Sequence, residues 1–284
     1  MFRALAKLPG TFILSAAIVS ACLSGEKLRY AMIKGSTYAY LLTQESKTAA
    51  NMMGQEFTST STAKFWLSLR VEEVGKNGEF ICVGKIDTAI MSIESPMMRD
   101  TALIPREFFG KRVHVTLSPI GKTLDVTPID TVPPVQRLAM LGPFGPTDLF
   151  RRILFELPDQ EVAIGDSWKK AQPDTSKRMN IQIIVKPNTQ YKIAGKEKVG
   201  ALECYKIETE GTASQYGAGQ VQGMEVVIDG TIKSKGAIHF APKEGVLVGI
   251  DQTTNVEATT SGTGEQMFTQ TTSTEQRTTI KLIQ

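Results

Sequence analysis

Few side chains in this chain of 284 residues have the type and spacing for covalent or acid–base chemistry. Three are thiols, Cys22, Cys82 and Cys204, and two are imidazoles, His114 and His239. Cys22 follows the small residues Ser20 and Ala21 near the end of an uncharged run. Cys82 and Cys204 have two readings, a disulfide formed in an oxidising compartment or burial as small apolar residues. Ser167, in Gly165-Asp166-Ser167-Trp168, superficially has the setting of a hydrolase nucleophile. That chemistry needs a base, commonly from a late Asp-x-x-His, and neither histidine provides one. The four residues read better as a turn, with Gly165 reversing the chain, Asp166 and Ser167 bonding the backbone, and Trp168 packing down. No pair of histidines or thiols has metal-ligand spacing. Gly217-Ala218-Gly219-Gln220-Val221-Gln222-Gly223 misses the dinucleotide fingerprint by one residue and reads as a flexible connection. The expectation is a non-enzymatic protein with no cofactor and no metal.

The N-terminus carries Arg3 and Lys7, then no charge from Leu8 to Ser24, with Phe12, Ile13, Leu14, Ile18 and Val19 as its apolar part. A membrane span needs about 20 apolar residues, so this shorter run reads as an export signal. Residues 1–21 are thus expected to be a signal peptide and residues 22–284 a single exported, β-rich domain. Val19-Ser20-Ala21-Cys22 resembles the lipobox of bacterial lipoproteins, which implies a diacylated Cys22 and anchoring to a membrane of the cell envelope. Val19-x-Ala21 also satisfies the small-residue rule of ordinary signal peptidase, which would release a secreted soluble protein.

Apolar residues make up 41% of the chain and charged residues 21%, values that support a packed core. Removing the signal takes Arg3 and Lys7 with it and leaves 30 Lys+Arg against 29 Asp+Glu. A body so close to neutral gives no support to nucleic-acid capture.

The elements that must position any site are mostly strands. Phe57, Ser59, Ser61, Ala63, Phe65, Leu67, Leu69 and Val71 share one parity, while Thr58 through Glu72 on the other are mostly polar. Such period-two alternation predicts a half-buried strand with one wet face. Gly75-Lys76-Asn77-Gly78 predicts a tight turn. Residues 112–118 and 123–127 read as a hairpin, and further strands are expected over 178–186, 190–198, 202–210, 224–239, 246–259 and 266–283. The last two are rich in threonine, whose branched Cβ favours extended backbone and tolerates water. Two short helices are expected within a segment near 129–157. One starts at Val132 and stops at Gly142; the other is capped by Thr147 and buries Leu149, Phe150, Ile153, Leu154 and Leu157. A faint echo links Glu72 through Thr88 with Glu197 through Thr209. The fold class expected is α+β, mainly β: a large curved, half-barrel-like antiparallel sheet over two short central helices.

Leu157-Pro158, Val162-x-x-Gly165-Asp166-Ser167-Trp168, the run from Tyr191 to Gly200 and Cys204 resemble an uncharacterised family of bacterial exported proteins, as does Met53-Gly54-Gln55-Glu56. The resemblance spans most of residues 27–284 and brings no catalytic residue. At the level of fold the layout is similar to periplasmic lipoprotein carriers and lipid-binding lipoproteins. That likeness implies a lipid or other amphipathic ligand held between sheet and helices, with Phe57, Phe65, Leu67, Leu69, Phe150 and Leu154 as the candidate apolar pocket. The competing expectation is a structural or partner-binding envelope protein with no small-molecule ligand. A cavity on the order of 300–1,000 Å³ separates the two.

Overall fold

The computed structural model describes residues 25–52, 54–96, 98–101, 109–131, 145–178, 180–221, 223–264 and 267–283. Period-two patterning dominates them, and it yields thirteen strands in one sheet. The N-terminal group is β1 (Thr37–Met52), β2 (Gln55–Val74), β3 (Phe80–Ser95), β4 (Met98–Thr101), β5 (Arg112–Leu117) and β6 (Thr123–Pro128). After the helix α1 (Pro146–Phe150) come β7 (Ser167–Lys170), β8 (Asp174–Arg178), β9 (Ile181–Val199), β10 (Leu202–Val221), β11 (Met224–Ala241), β12 (Val246–Thr263) and β13 (Phe268–Leu282). Every pairing is antiparallel.

The spatial order runs β6-β5-β3-β2-β1-β13-β12-β11-β10-β9-β7, so the first and last long strands pair with each other. The sheet stays open between β6 and β7, the strands joined in sequence by the segment containing α1. Its margins are broken into short pieces: β5 and β4 pair with the two ends of β3, and β7 and β8 with separate parts of β9. Short margin strands carrying Lys169, Lys170 and Asp125 resist edge-to-edge association.

Side-chain register explains where the core sits. Ile193, Ile207, Ile238, Ile250 and Ile280 occupy matching positions on five neighbouring strands, and Leu42 and Phe65 continue the row on β1 and β2. This row and the residues between it and one end of the sheet, the base, form the main core with Tyr40, Leu67, Leu69, Val71, Cys82, Phe150 and Leu157. The basal end is crossed by residues 25–36. Glu26 bridges to Val162, the Tyr30 amide donates to the Pro119 carbonyl, Ala31 to Gly245 and Gly35 to Val71. Leu28, Tyr30 and Met32 are buried beneath this strap.

Of the two expected helices, one is described and differs from expectation. The first helix, near 132–141, lies outside the described residues. The second is one turn, ending at Phe150, and its N-cap is Gly145 with no side-chain cap bond rather than Thr147. Tertiary hydrogen bonds capture the chain beyond Phe150. Thr123 Oγ1 donates to the Arg151 carbonyl, Tyr30 OH to the Phe155 carbonyl at 2.8 Å, and the Leu157 amide to the Ile120 carbonyl. Ile153, Leu154 and Leu157 are buried as expected, but from irregular backbone. The described architecture is therefore mainly β with one short helix, not an α+β mixture.

Strands also run further than the sequence pattern predicts. β9 is one strand through Pro187, which sits opposite the interruption between β7 and β8. A missing N–H is tolerated best where a ladder is broken. Gly217 and Gly219, expected in a flexible connection, lie inside β10 and face Ile183 and Ile181.

Cys82 and Cys204 are both free and buried, so the disulfide reading is corrected to the packing one. Cys82 belongs to the main core, whereas Cys204 packs with Ala241, Val246 and Val248 in a separate cluster. Tyr205 and Ile207 point into the main core, so alternation turns Cys204 to the opposite face of β10. The echo between the two basal hairpins therefore does not extend to side-chain direction. Burial pushes the Cys82 thiol up to about 12. We expect neither Cys82 nor Cys204 to react with a thiol reagent in the folded protein, and both to react in denaturant without reductant. A mass lower by two hydrogens would restore the disulfide.

Candidate ligand-binding trough

The expected pocket residues separate into three places. Phe65, Leu67, Leu69 and Phe150 are at most 1% exposed and belong to the closed core. Gly84 shows how tightly the seam is filled: a Cβ there would lie 2.7 Å from the Phe150 ring. The seam between α1 and the sheet is thus packed, not hollow, and a pocket between them is corrected. Phe57 lies eight residues up β2 from Phe65, pairs with Ala50 and is only half-buried. Leu154 is buried at the wall of a different cavity. Cys22 lies outside the described residues.

What the sequence pattern did not single out is the inner face beyond the isoleucine row. Successive registers read Tyr191, Thr209, Gly236, Gln252, Thr278, Gln44 and Ala63, then Thr189, Gly211, Ser234, Thr254, Gln276, Ser46 and Ser61. Further rows carry Ile232, Val256, Thr274, Thr48 and Ser59, then Ala258, Thr272, Ala50 and Phe57. From β9 to β2 no inner-facing residue of these rows is charged. The outer face of the same strands carries Lys47, Lys64, Lys192, Glu210, Lys235, Asp251, Glu257 and Arg277. Arg277 there grips Asp251 through two hydrogen bonds of 3.0 and 2.7 Å, holding that carboxyl below its ordinary range.

The inner residues are mostly half-buried while their outer neighbours are mostly exposed, although α1 packs mainly on β3, β5 and β6. We read the difference in burial as a sheet concave toward this face. The result is a trough about 30 Å across seven strands, from a spacing of about 4.8 Å per strand. Its hydroxyls partly satisfy one another: Ser46 and Ser61 Oγ are 2.8 Å apart, and Thr48 and Thr274 Oγ1 3.0 Å. At its far end, opposite the base, Ile181, Ile183 and Val226 form a small apolar cluster.

At the foot of the trough, between residues 151–156 and the sheet, lies a cavity of about 410 Å³. Leu154, Phe155, Tyr191 and Ile250 supply its apolar wall, while Lys122, Arg151 and Arg152 stand among its polar lining. The wall is braced by aromatic contacts, Phe155 against Tyr191 at 5.2 Å and Trp168 stacked on Tyr191 at 5.4 Å. This placement gives Gly165-Asp166-Ser167-Trp168 its structural role. Gly165 has φ +99°, which suits glycine, and Asp166 Oδ2 accepts from the Ala163 amide at 2.9 Å. Ser167 is exposed on β7, away from both histidines' strands. We expect Trp168→Ala to cost about 2 kcal/mol, less than a fully buried tryptophan, and Ser167→Ala less than about 0.5 kcal/mol, measured by denaturant unfolding. An esterase activity lost only in Ser167→Ala would reverse the non-enzymatic expectation. His239 lies 2.6 Å from Glu197 on β9, and His114 is on β5. Among the described residues no group of three or more His, Cys, Asp or Glu could hold a metal.

The fold and site define an open, up-and-down antiparallel sheet with an uncharged inner face. No protein-family model matches the chain, and no curated protein is similar to it. Among solved structures, an outer membrane channel from Pseudomonas putida F1 matches at 9% identity, over 88% of this chain and 97% of that one, with a TM-score of 0.23. A likeness that small carries neither fold nor function across. The charged outer face itself differs from the apolar outward band by which a transmembrane barrel meets lipid.

Proposed function

We propose that this protein is an exported, non-enzymatic binder of an amphipathic ligand, anchored to the cell envelope through Cys22, and that it binds in the trough and its basal cavity. One observation carries the reading: a half-buried sheet face spanning seven strands without a charge, leading to a 410 Å³ cavity of apolar wall whose polar lining holds Lys122, Arg151 and Arg152 beside the Lys170–Glu156 pair. A sheet face meant only for water would be charged like the outer one. A face that must accept the apolar part of a ligand avoids charge, because an unpaired buried charge is expensive. Threonine, serine and glutamine allow both states, since their polar groups can bond neighbours or water while their carbons contact the ligand. Lys122, Arg151 and Arg152 suit an anionic headgroup at the foot of the trough. The filled seam weighs against the original pocket but leaves this second volume, which falls in the range small-molecule sites occupy.

The deciding experiment is native mass spectrometry of protein purified from its own envelope in mild detergent. Co-purifying lipid or another amphiphile, displaced by excess of the same compound, supports the proposal. A ligand-free protein that also fails to bind an apolar fluorescent probe while fully folded would favour the structural reading.

A further inference from the structure

We infer that the base of the sheet is a docking surface for an anionic bilayer, so that the protein stands on the membrane by its base and projects the trough away from it. This rests on the anchoring reading of Cys22 only for its orientation; the surface itself is argued from basal residues.

Charge is the first observation. Lys34, Lys76, Lys122 and Lys243 each lie in a basal turn, and Lys27 lies in the strap; all five are exposed. Lys27, Lys34, Lys76 and Lys122 have no carboxylate partner among the described residues, while Lys243 meets Glu203 only at 3.7 Å. Several carboxylates of the same end are turned to protein partners. Glu26 accepts from Tyr205 OH at 2.8 Å, Asp159 pairs with Arg29, and Glu79 accepts from Asn77 Nδ2 at 3.1 Å. The base also carries the exposed acids Glu73, Glu161 and Glu244, and its uncommitted ammonium groups are distributed over the basal turns and the strap.

Apolar exposure is the second. Ile33 is 66% exposed, Leu124 52%, Ile283 51% and Ile164 44%, each in the strap, beside a basal turn or at a basal strand end. Single exposed aliphatics need no explanation, but an end bearing several beside unpaired lysines is the composition of an interfacial surface. The third is chain connectivity. Glu26 is already fixed to Val162, so only three residues separate it from Cys22, a reach of about 13 Å. A membrane-held Cys22 would bring the basal turns to the lipid headgroups. On the outer face the exposed apolar residues Ile90, Tyr216 and Val227 stand among charges along β2, β3, β10 and β11.

The test labels single cysteines introduced at Ile33 or Met267 with an environment-sensitive fluorophore; Cys82 and Cys204 are buried and should not compete. The protein is bound to vesicles of phosphatidylethanolamine with phosphatidylglycerol, and to phosphatidylcholine vesicles as a control. Ile33→Cys should show a blue-shifted emission quenched by a lipid-borne quencher on anionic vesicles, and Met267→Cys, at the opposite end, should show neither. The same measurement on protein without the acyl groups, with Cys22→Ser so that no third thiol takes the label, should retain weaker, salt-sensitive binding. Lys27→Glu, Lys34→Glu and Lys76→Glu together, with Lys122 of the basal cavity left intact, should reduce that binding at least about tenfold. A water-exposed label at position 33 in lipidated, vesicle-bound protein would overturn the docking surface while leaving the anchor intact. Absence of fatty acid on Cys22 with salt-sensitive vesicle binding retained would overturn the anchor and leave the docking surface.

Discussion

Phe150→Ala should destabilise the protein by about 3–5 kcal/mol, and Phe150→Asp should prevent it from folding to a cooperative native state. The ring is completely buried, and Gly84 leaves the notch that receives it. Truncation to alanine removes transfer free energy and opens a void that β3 and β5 are not free to close, because each is held in a ladder. An aspartate would place a charge where no partner waits. Gly84→Ala probes the same contact from the other side. Its Cβ would meet the ring at 2.7 Å, so it should lower the melting temperature although it adds one methyl group. Were the seam instead a lidded pocket, Phe150→Asp would leave a folded protein with weakened probe binding. Loss of ligand without loss of stability would therefore contradict the closed core.

The same residue shows what sequence can and cannot deliver. Spacing of Leu149, Phe150, Ile153, Leu154 and Leu157 identified the buried set correctly, because burial follows from apolar character whatever the backbone does. It misjudged the conformation, because the bonds that end α1 come from Tyr30, Thr123 and Ile120, distant in sequence. Strand parity was legible in β2, where Phe65, Leu67 and Leu69 alternate with mostly polar neighbours. In β13 it was not, since Thr272, Thr274 and Thr278 face inward while Thr269, Thr271 and Thr279 face outward. A residue type that suits both faces hides the difference between them.

The trough was illegible for a related reason. Its uncharged lining is a property of registers, and a register joins residues as far apart as Ser46, Ser61, Thr189 and Gln276. Within any one strand, alternation of threonine with lysine or glutamate looks like an ordinary wet sheet. Only the pairings reveal that all the charges fall on one side. One cue was present in the sequence: Glu45, Lys47, Glu257, Glu275 and Arg277 occupy a single parity in their strands.

That segregation leads to the second large effect. Thr274→Lys, at the middle of the trough, should reduce ligand affinity about a hundredfold, equivalent to about 2.7 kcal/mol, while shifting stability by less than about 1 kcal/mol. Thr274 is half-buried between Thr48 and Val256, so in the ligand-free protein an ammonium can extend along the trough into water. With the apolar part of a ligand in place it could not, and either the charge is buried unpaired or the ligand is excluded. Glu275→Lys makes a larger change in charge at the adjacent position, but on the outer face, and should leave affinity unchanged. The comparison is made on purified, lipid-loaded protein by competition with a fluorescent apolar probe. A Thr274→Lys variant that binds as well as the parent would show that the uncharged face is not where the ligand lies. Equal losses for Thr274→Lys and Glu275→Lys would point instead to net charge, and with it to the cationic residues around the basal cavity as the main determinant of binding.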